Sequence, residues 1–232
     1  MDVSKIPPGR NPPDEINAVI EIPQGGVPVK YELDKVSGAL FVNRFLHTAM
    51  YYPANYGFIP NTLSEDRDPC DCLVLSQVPV APGAVIRCRP IGALLMEDEN
   101  GIDEKIIAVP VDALNPFYDG IGELTDLPPI FRDQIEHFFR HYKDLERGKW
   151  VKLTGWADRE KARALIMEAI SRLQAGMSGV LIHSQVKSSA TQIFLPGRSV
   201  YGIGRGPGTG STPQMAFAQG GRGEAGMRSS FP

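Results

Sequence analysis

From residue 16 to residue 110 glycine and proline recur too often for a long helix, and the apolar residues come in short runs. These runs are Ala18–Ile22, with one acid (Glu21) embedded, the alternating Val29–Leu33, and Ala39–Val42 leading into Asn43-Arg44-Phe45. Leu73–Leu75, the stretch Val85–Met96 and Ile106–Pro110 complete the series. Period-two alternation and short apolar runs bounded by turn residues mark strands, and Val85–Met96 is long enough for one bent strand or two. Several short strands joined by Gly- and Pro-containing turns predict a small closed barrel.

Helices are expected only afterwards. From Pro129, the residues Phe131, Ile135, Phe138, Phe139 and Tyr142 recur at spacings of three and four, the stripe of an amphipathic helix of about four turns. Asp158 suits the N-cap of a second helix striped by Ala162, Leu165, Ile166, Ala169, Ile170 and Leu173, with Gly176 as its C-cap. Strands followed by helices define an α+β domain.

The 42% hydrophobic content over 232 residues supplies one substantial core. Residues 177–232 hold eleven glycines and four prolines with little periodicity, so the expected division is a domain over 1–176 and a disordered tail over 177–232. The tail carries five basic residues and one acidic one, which leaves the body acidic within an overall charge of −3. An acidic body argues against nucleic acid as a partner and favours recruitment of cations. No apolar run approaches membrane-spanning length, and Met1–Pro13 lacks a signal-peptide core. Cys70, Cys72 and Cys88 form neither a disulfide framework nor a zinc pair, which points to reduced thiols in a cytoplasmic protein.

The chemistry concentrates in Asp66-Arg67-Asp68-Pro69-Cys70-Asp71. Pro69 excludes a helix and pushes Asp68 toward extended geometry, which would set Asp66 and Asp68 on one face. Crowded carboxylates need a counter-charge, and their hard oxygens select Mg²⁺, Mn²⁺ or Ca²⁺. An EF-hand loop is excluded, because its sixth and twelfth positions would be Asp71 and Gln77 rather than Gly and Glu. A second acidic cluster, Glu97-Asp98-Glu99-Asn100-Gly101-Ile102-Asp103-Glu104-Lys105, lies in a loop with a turn at Asn100-Gly101; alone it would be an exposed hairpin tip. Lys30, Arg44, Lys105 and Lys143 are interspersed with these acids, and such a mixture suits a small polyanion such as a phosphate compound. His137 and His141 share a helix face but lack the Glu of a zinc-hydrolase motif, so packing is the better reading. An OB-like nucleic-acid module would line its groove with aromatics and bases rather than acids.

The central hexapeptide resembles the D-x-D-P-x-D signature of family I soluble inorganic pyrophosphatases of the bacterial type. The likeness extends through Val19–Pro23, Lys30-Tyr31-Glu32, Ser37–Leu40, Tyr52–Gly57, Arg87–Gly92 and His141–Leu145, covering about residues 3 to 175. It implies a five-stranded OB-like barrel flanked by two helices, and hydrolysis of pyrophosphate to two orthophosphates with several Mg²⁺ ions, Mn²⁺ serving as a substitute. By the same resemblance Asp66, Asp71 and Asp103 hold activating metals, Asp98 and Glu21 hold metals arriving with substrate, and Glu32 belongs to the same acidic lining. Lys30, Arg44, Tyr56, Lys105, Tyr142 and Lys143 grip pyrophosphate oxygens, and Asp68 orients or deprotonates the attacking water. A homo-oligomer, hexameric in bacterial relatives, is implied as well. Three departures stand out: Arg67 puts a cation beside the acidic loop, Cys70 and Cys72 replace small or aliphatic residues, and Asn43 replaces an acid before Arg44.

Overall fold

The structure, a computed structural model, describes residues 1–189. In chain order the elements are β1 (Ile16–Ile22), β2 (Val29–Leu33), β3 (Leu40–Phe45), β4 (Asn55–Phe58), β5 (Asp71–Val74) and β6 (Val85–Asp98). They continue with β7 (Gly101–Ile102), β8 (Lys105–Pro110), α1 (Pro129–His141), β9 (Val151–Ala157) and α2 (Arg159–Ser189). Strands β1, β4, β5, β8 and β6 pair in that order, and β6 pairs back to β1, so five strands form a ring in a mixed sheet. The β5–β8 contact is parallel; the other ring contacts are antiparallel. β7 and β9 pair with β6, and β2–β3 make a separate hairpin.

Val85–Asp98 is a single strand, bent by a bulge between Pro90 and Gly92. Proline cannot donate to a ladder, so a bulge is where a long strand tolerates it. The bend lets β6 pair with β1 at its start, β8 in its middle and β9 at its end. Three strands, β4, β7 and β9, have no counterpart in the sequence reading. β4 is built from Asn55-Tyr56-Gly57-Phe58, whose Asn and Gly are poor strand formers, and it becomes a strand between β1 and β5. Gly57 is required there, since a Cβ would stand 1.9 Å from the Val19 carbonyl oxygen. β9, Val151-Lys152-Leu153-Thr154-Gly155-Trp156-Ala157, carries an alternation that marks it as a strand once sought.

The ring is covered on both faces, which is why β8 is buried throughout. Ile106 and Ala108 pack in the cluster containing Ala162, Ile166, Ala169 and Ile170 of α2. Ile107 and Val109 pack in the cluster containing Ile135, Phe138 and Phe139 of α1. Phe131, expected in the α1 stripe, lies in the first turn and is 40% exposed, while Ile135, Phe138 and Phe139 are buried. Asp158 caps α2 by accepting from the Lys161 amide at 2.8 Å. Gly176 does not end the helix, which runs on to Ser189. A single helical glycine costs only about 1 kcal/mol and is no obligatory stop. Residues 190–232, most of the expected tail, lie outside the described residues. All three cysteines are buried and unbridged. Among the described residues no helix is long and apolar enough to cross a membrane.

Candidate active site

The parallel register of β5 and β8 sets Asp71 directly beside Lys105. The Lys105 ammonium bonds both Asp71 and Asp103, and Tyr56, on the neighbouring strand β4, donates its hydroxyl to Asp71 at 2.5 Å. Lys105 is only 2% exposed. Burial disfavours its charge, but Asp103 and Asp71 outweigh that and hold the ammonium well above the usual lysine range. Burial pushes the Asp103 carboxyl up to about 6 despite Lys105. Tyr56 is raised by burial and by Asp71, so its hydroxyl stays a donor.

Glu21 falls at the β1 bulge between Ile20 and Ile22, out of the ladder. Its carboxylate instead accepts the Leu33 amide of β2 at 2.7 Å, and burial raises it to about 7. The β2–β3 register places Lys30 opposite Arg44. Lys30 pairs with Glu32 at 2.8 Å, as their shared strand face predicts. Burial works against the Glu32 charge, but the bond and charge of Lys30, with Asn43, leave its pKa lowered. Asn43 donates to Glu32 at 2.8 Å and accepts from Arg44 at 3.2 Å, so the amide that replaces an acid bridges anion and cation.

The acidic segment after Glu97 is strand and hairpin rather than loop. β6 runs to Asp98, the chain turns at Glu99-Asn100, and Asp98 pairs with Gly101. Asp98 is buried, not an exposed tip, and meets Lys143 at 2.7 Å just beyond α1. Burial opposes the Asp98 charge, but Lys143 lowers its pKa overall. The first acidic loop also departs from expectation. Arg67 adopts a left-handed φ of 75°, so residues 66–68 turn back rather than extend. Asp66 accepts the Asp68 amide at 3.0 Å across that turn. Arg67 faces a neighbouring apolar cavity and does not line the acidic one.

Glu21, Lys30, Glu32, Arg44, Tyr56, Asp66, Asp68, Asp71, Asp98, Asp103, Lys105, Tyr142 and Lys143 all line one cavity of about 210 Å³. Among the described residues no three His, Cys, Asp or Glu side chains stand at metal-ligand spacing. The donor set still fits a hard divalent cation: the anions of the cavity are all carboxylates, and three of them, Glu21, Asp66 and Asp103, are pushed toward neutrality by burial, where a bound cation would restore their charge. Asp66, Asp71, Asp103, Glu21, Glu32 and Asp98, which all line it, are the residues that could hold such ions.

A family model for inorganic pyrophosphatase matches residues 18–174. The chain belongs to the inorganic pyrophosphatase family. The inorganic pyrophosphatase of Caulobacter vibrioides is 64% identical over 172 residues, covering 74% of this chain and 97% of that protein. That of Rhodospirillum rubrum is 57% identical over 171 residues, covering 74% and 96%. The structure of an inorganic pyrophosphatase from Coxiella burnetii aligns with a TM-score of 0.71 at 48% identity, covering 72% of this chain and 99% of that one. As a member of the pyrophosphatase family the chain is a hydrolase.

The cavity is also lined by Glu99 and Lys149, which sequence reasoning passed over. Glu99 bonds Lys143 at 3.0 Å, and Lys149 approaches Glu99 at 4.0 Å and Glu146 at 3.3 Å. Glu146 in turn holds the Arg44 guanidinium at 3.0 Å. Glu99 sat inside a recognised acidic cluster and was within reach of sequence reasoning. Glu146 and Lys149 lie in the α1–β9 connection, where isolated charges carry no pattern.

Proposed function

We propose that the chain hydrolyses inorganic pyrophosphate to two orthophosphates by direct attack of water, using several Mg²⁺ ions, with Mn²⁺ as a substitute. The observation that carries this reading is the convergence of every candidate acid and base on one small cavity. Bound divalent cations would supply positive charge and Lewis acidity to a substrate that otherwise repels its nucleophile. Asp66, Asp71 and Asp103 would hold the activating ions and Asp98 and Glu21 those that arrive with substrate, with Glu32 in the same acidic lining. Lys30, Arg44, Lys105 and Lys143 donate to phosphate oxygens, and charge-assisted donors of this kind stabilise the leaving phosphate. Tyr56 and Tyr142, both raised by burial, remain protonated; Tyr142 donates to the same oxygens, and so does Tyr56 once a cation on Asp71 releases its single O–H. The Asp68 side chain, 77% exposed, is reached by water and accepts the proton of the attacking molecule.

We also read the strand ring as the OB-like barrel of the family, residues 1–176 as sufficient for catalysis, and the active form as a cytoplasmic homo-oligomer, a hexamer by family likeness. Sedimentation of the purified chain measures that assembly. The roles of the two central aspartates are separable by phosphate release measured against Mg²⁺. Asp71→Asn loses ligand charge, and raising Mg²⁺ restores part of its rate by mass action. Asp68→Asn loses about 10²–10⁴ in turnover at every Mg²⁺ concentration. Full rescue of Asp68→Asn by Mg²⁺ would make Asp68 another ligand and remove the proton acceptor from the mechanism.

A further inference from the structure

The Asp66–Asp71 loop has a second face. Behind it Val3, Phe58, Pro60, Leu63, Pro69 and Leu173 wall a cavity of about 200 Å³. Its polar side chains are already used. The Asn61 amide donates to the carbonyls of Ser4 at 3.0 Å and Ile6 at 2.8 Å. The Thr62 hydroxyl donates to the Ile59 carbonyl at 2.6 Å and accepts the Cys70 amide at 2.9 Å. An occupant therefore meets apolar walls and no free polar group in their interior.

The lining also includes two cations, Lys35 and Arg67. The Arg67 guanidinium makes no hydrogen bond or ion pair with any other described residue, while its backbone bears the left-handed φ of 75°. Lys35 pairs with Asp68 only at 3.7 Å, with both side chains at least half exposed. An exposed pair at that distance is weak and readily exchanged for a better anion.

We propose that this cavity binds an amphipathic monoanion, a medium-chain carboxylate whose apolar body packs against Phe58, Leu63 and Leu173 while its carboxylate pairs with Arg67 and Lys35. Apolar cavities with a few convergent polar groups are the usual form of small-molecule sites, and charge complementarity here selects an anion. Lys35, Phe58 and Pro69 line both this cavity and the acidic one. A carboxylate that draws Lys35 from Asp68 therefore changes turnover; this consequence rests on the role proposed above for Asp68, whereas binding does not.

The test is calorimetric titration of the full chain with sodium octanoate, with octan-1-ol as the uncharged control. Saturable one-to-one binding is expected with Kd about 1 mM or tighter, in keeping with a ligand of about ten heavy atoms. Arg67→Gln keeps a non-glycine residue at the strained position and weakens octanoate about tenfold. Leu173→Trp fills the cavity and abolishes binding. Absence of saturable binding by the full chain, as when another segment or a second copy already fills the cavity, overturns the proposal. Equal affinity for octanol, or an unchanged affinity in Arg67→Gln, overturns the anion assignment. Phosphate release assayed at saturating octanoate is read separately: no change would overturn the link through Lys35 and leave calorimetry to decide the site.

Discussion

Replacing Lys105 by methionine isolates the charge at the centre of the cavity. Methionine keeps an unbranched stem but removes an ammonium that bonds Asp71 and Asp103 and lies 5.8 Å and 6.0 Å from the Tyr56 and Phe139 ring centroids. The Lys105 side chain is 3% exposed, and those of Asp71 and Asp103 are 21% and 14% exposed, so water screens the remaining anions poorly. Removing one partner from a buried pair typically destabilises by about 3–5 kcal/mol, and that loss is expected for the metal-free protein at pH 8. Asp103, already raised to about 6, rises further without its cation, so the loss shrinks toward pH 6 as the carboxyl takes up a proton. A divalent cation at about 100 times its Kd contributes about 2.7 kcal/mol to whichever folded protein binds it, and the variant, whose Asp71 and Asp103 no longer hold the Lys105 ammonium, binds it more tightly, so the loss is smaller in Mg²⁺. Urea unfolding of both proteins, followed by tryptophan fluorescence with EDTA and then with Mg²⁺, reads both quantities. A loss below about 1 kcal/mol in EDTA would refute the idea that Lys105 offsets buried negative charge. A loss that Mg²⁺ leaves undiminished would refute Asp71 and Asp103 as its ligands.

Three further expectations follow from individual residues. Arg67→Gly relieves a left-handed φ worth about 1–2 kcal/mol against a glycine entropy of about 0.5–1 kcal/mol, so thermal unfolding should shift upward by a few degrees; the Mg²⁺ needed for half activity should stay put, because the side chain lies outside the acidic cavity. Glu21 is raised from 4.5 to about 7, so between those values the folded state holds a proton the unfolded chain has released, and stability falls as pH rises. Glu21→Gln should remove that slope in metal-free urea titrations and stabilise by about 2–3 kcal/mol at pH 8, whereas parallel pH profiles for the two proteins would contradict it. Cys70 is pushed up to about 12 by burial first and Asp71 second, and Cys72 and Cys88 are fully buried. Iodoacetamide at pH 8 should therefore label none of the three in the native protein and all three in urea, as mass spectrometry would record.

Much of the candidate site is legible in the sequence because its chemistry is written in local composition. Three carboxylates around Pro69, an acid embedded in an apolar strand and two periodic helices are patterns within a few residues of sequence. Alternation likewise put Lys30 and Glu32 on one face. What only the tertiary structure decided depends on pairing between distant segments. Asp71 and Lys105 are 34 residues apart and meet through a parallel register that neither strand encodes alone. β4 is a strand because β1 and β5 flank it, against the preference of its Asn and Gly. Asp98 is buried rather than at an exposed tip because Lys143 reaches it from beyond α1. Arg67 turns from the acids because the loop reverses at its own backbone, and Gly176 fails to stop α2 because one glycine is a small penalty beside continued helical bonding. Side-chain period and charge are properties of neighbouring residues, and the sequence settles them; which charges meet, and which are stripped of water, is settled by burial and register across the whole ring.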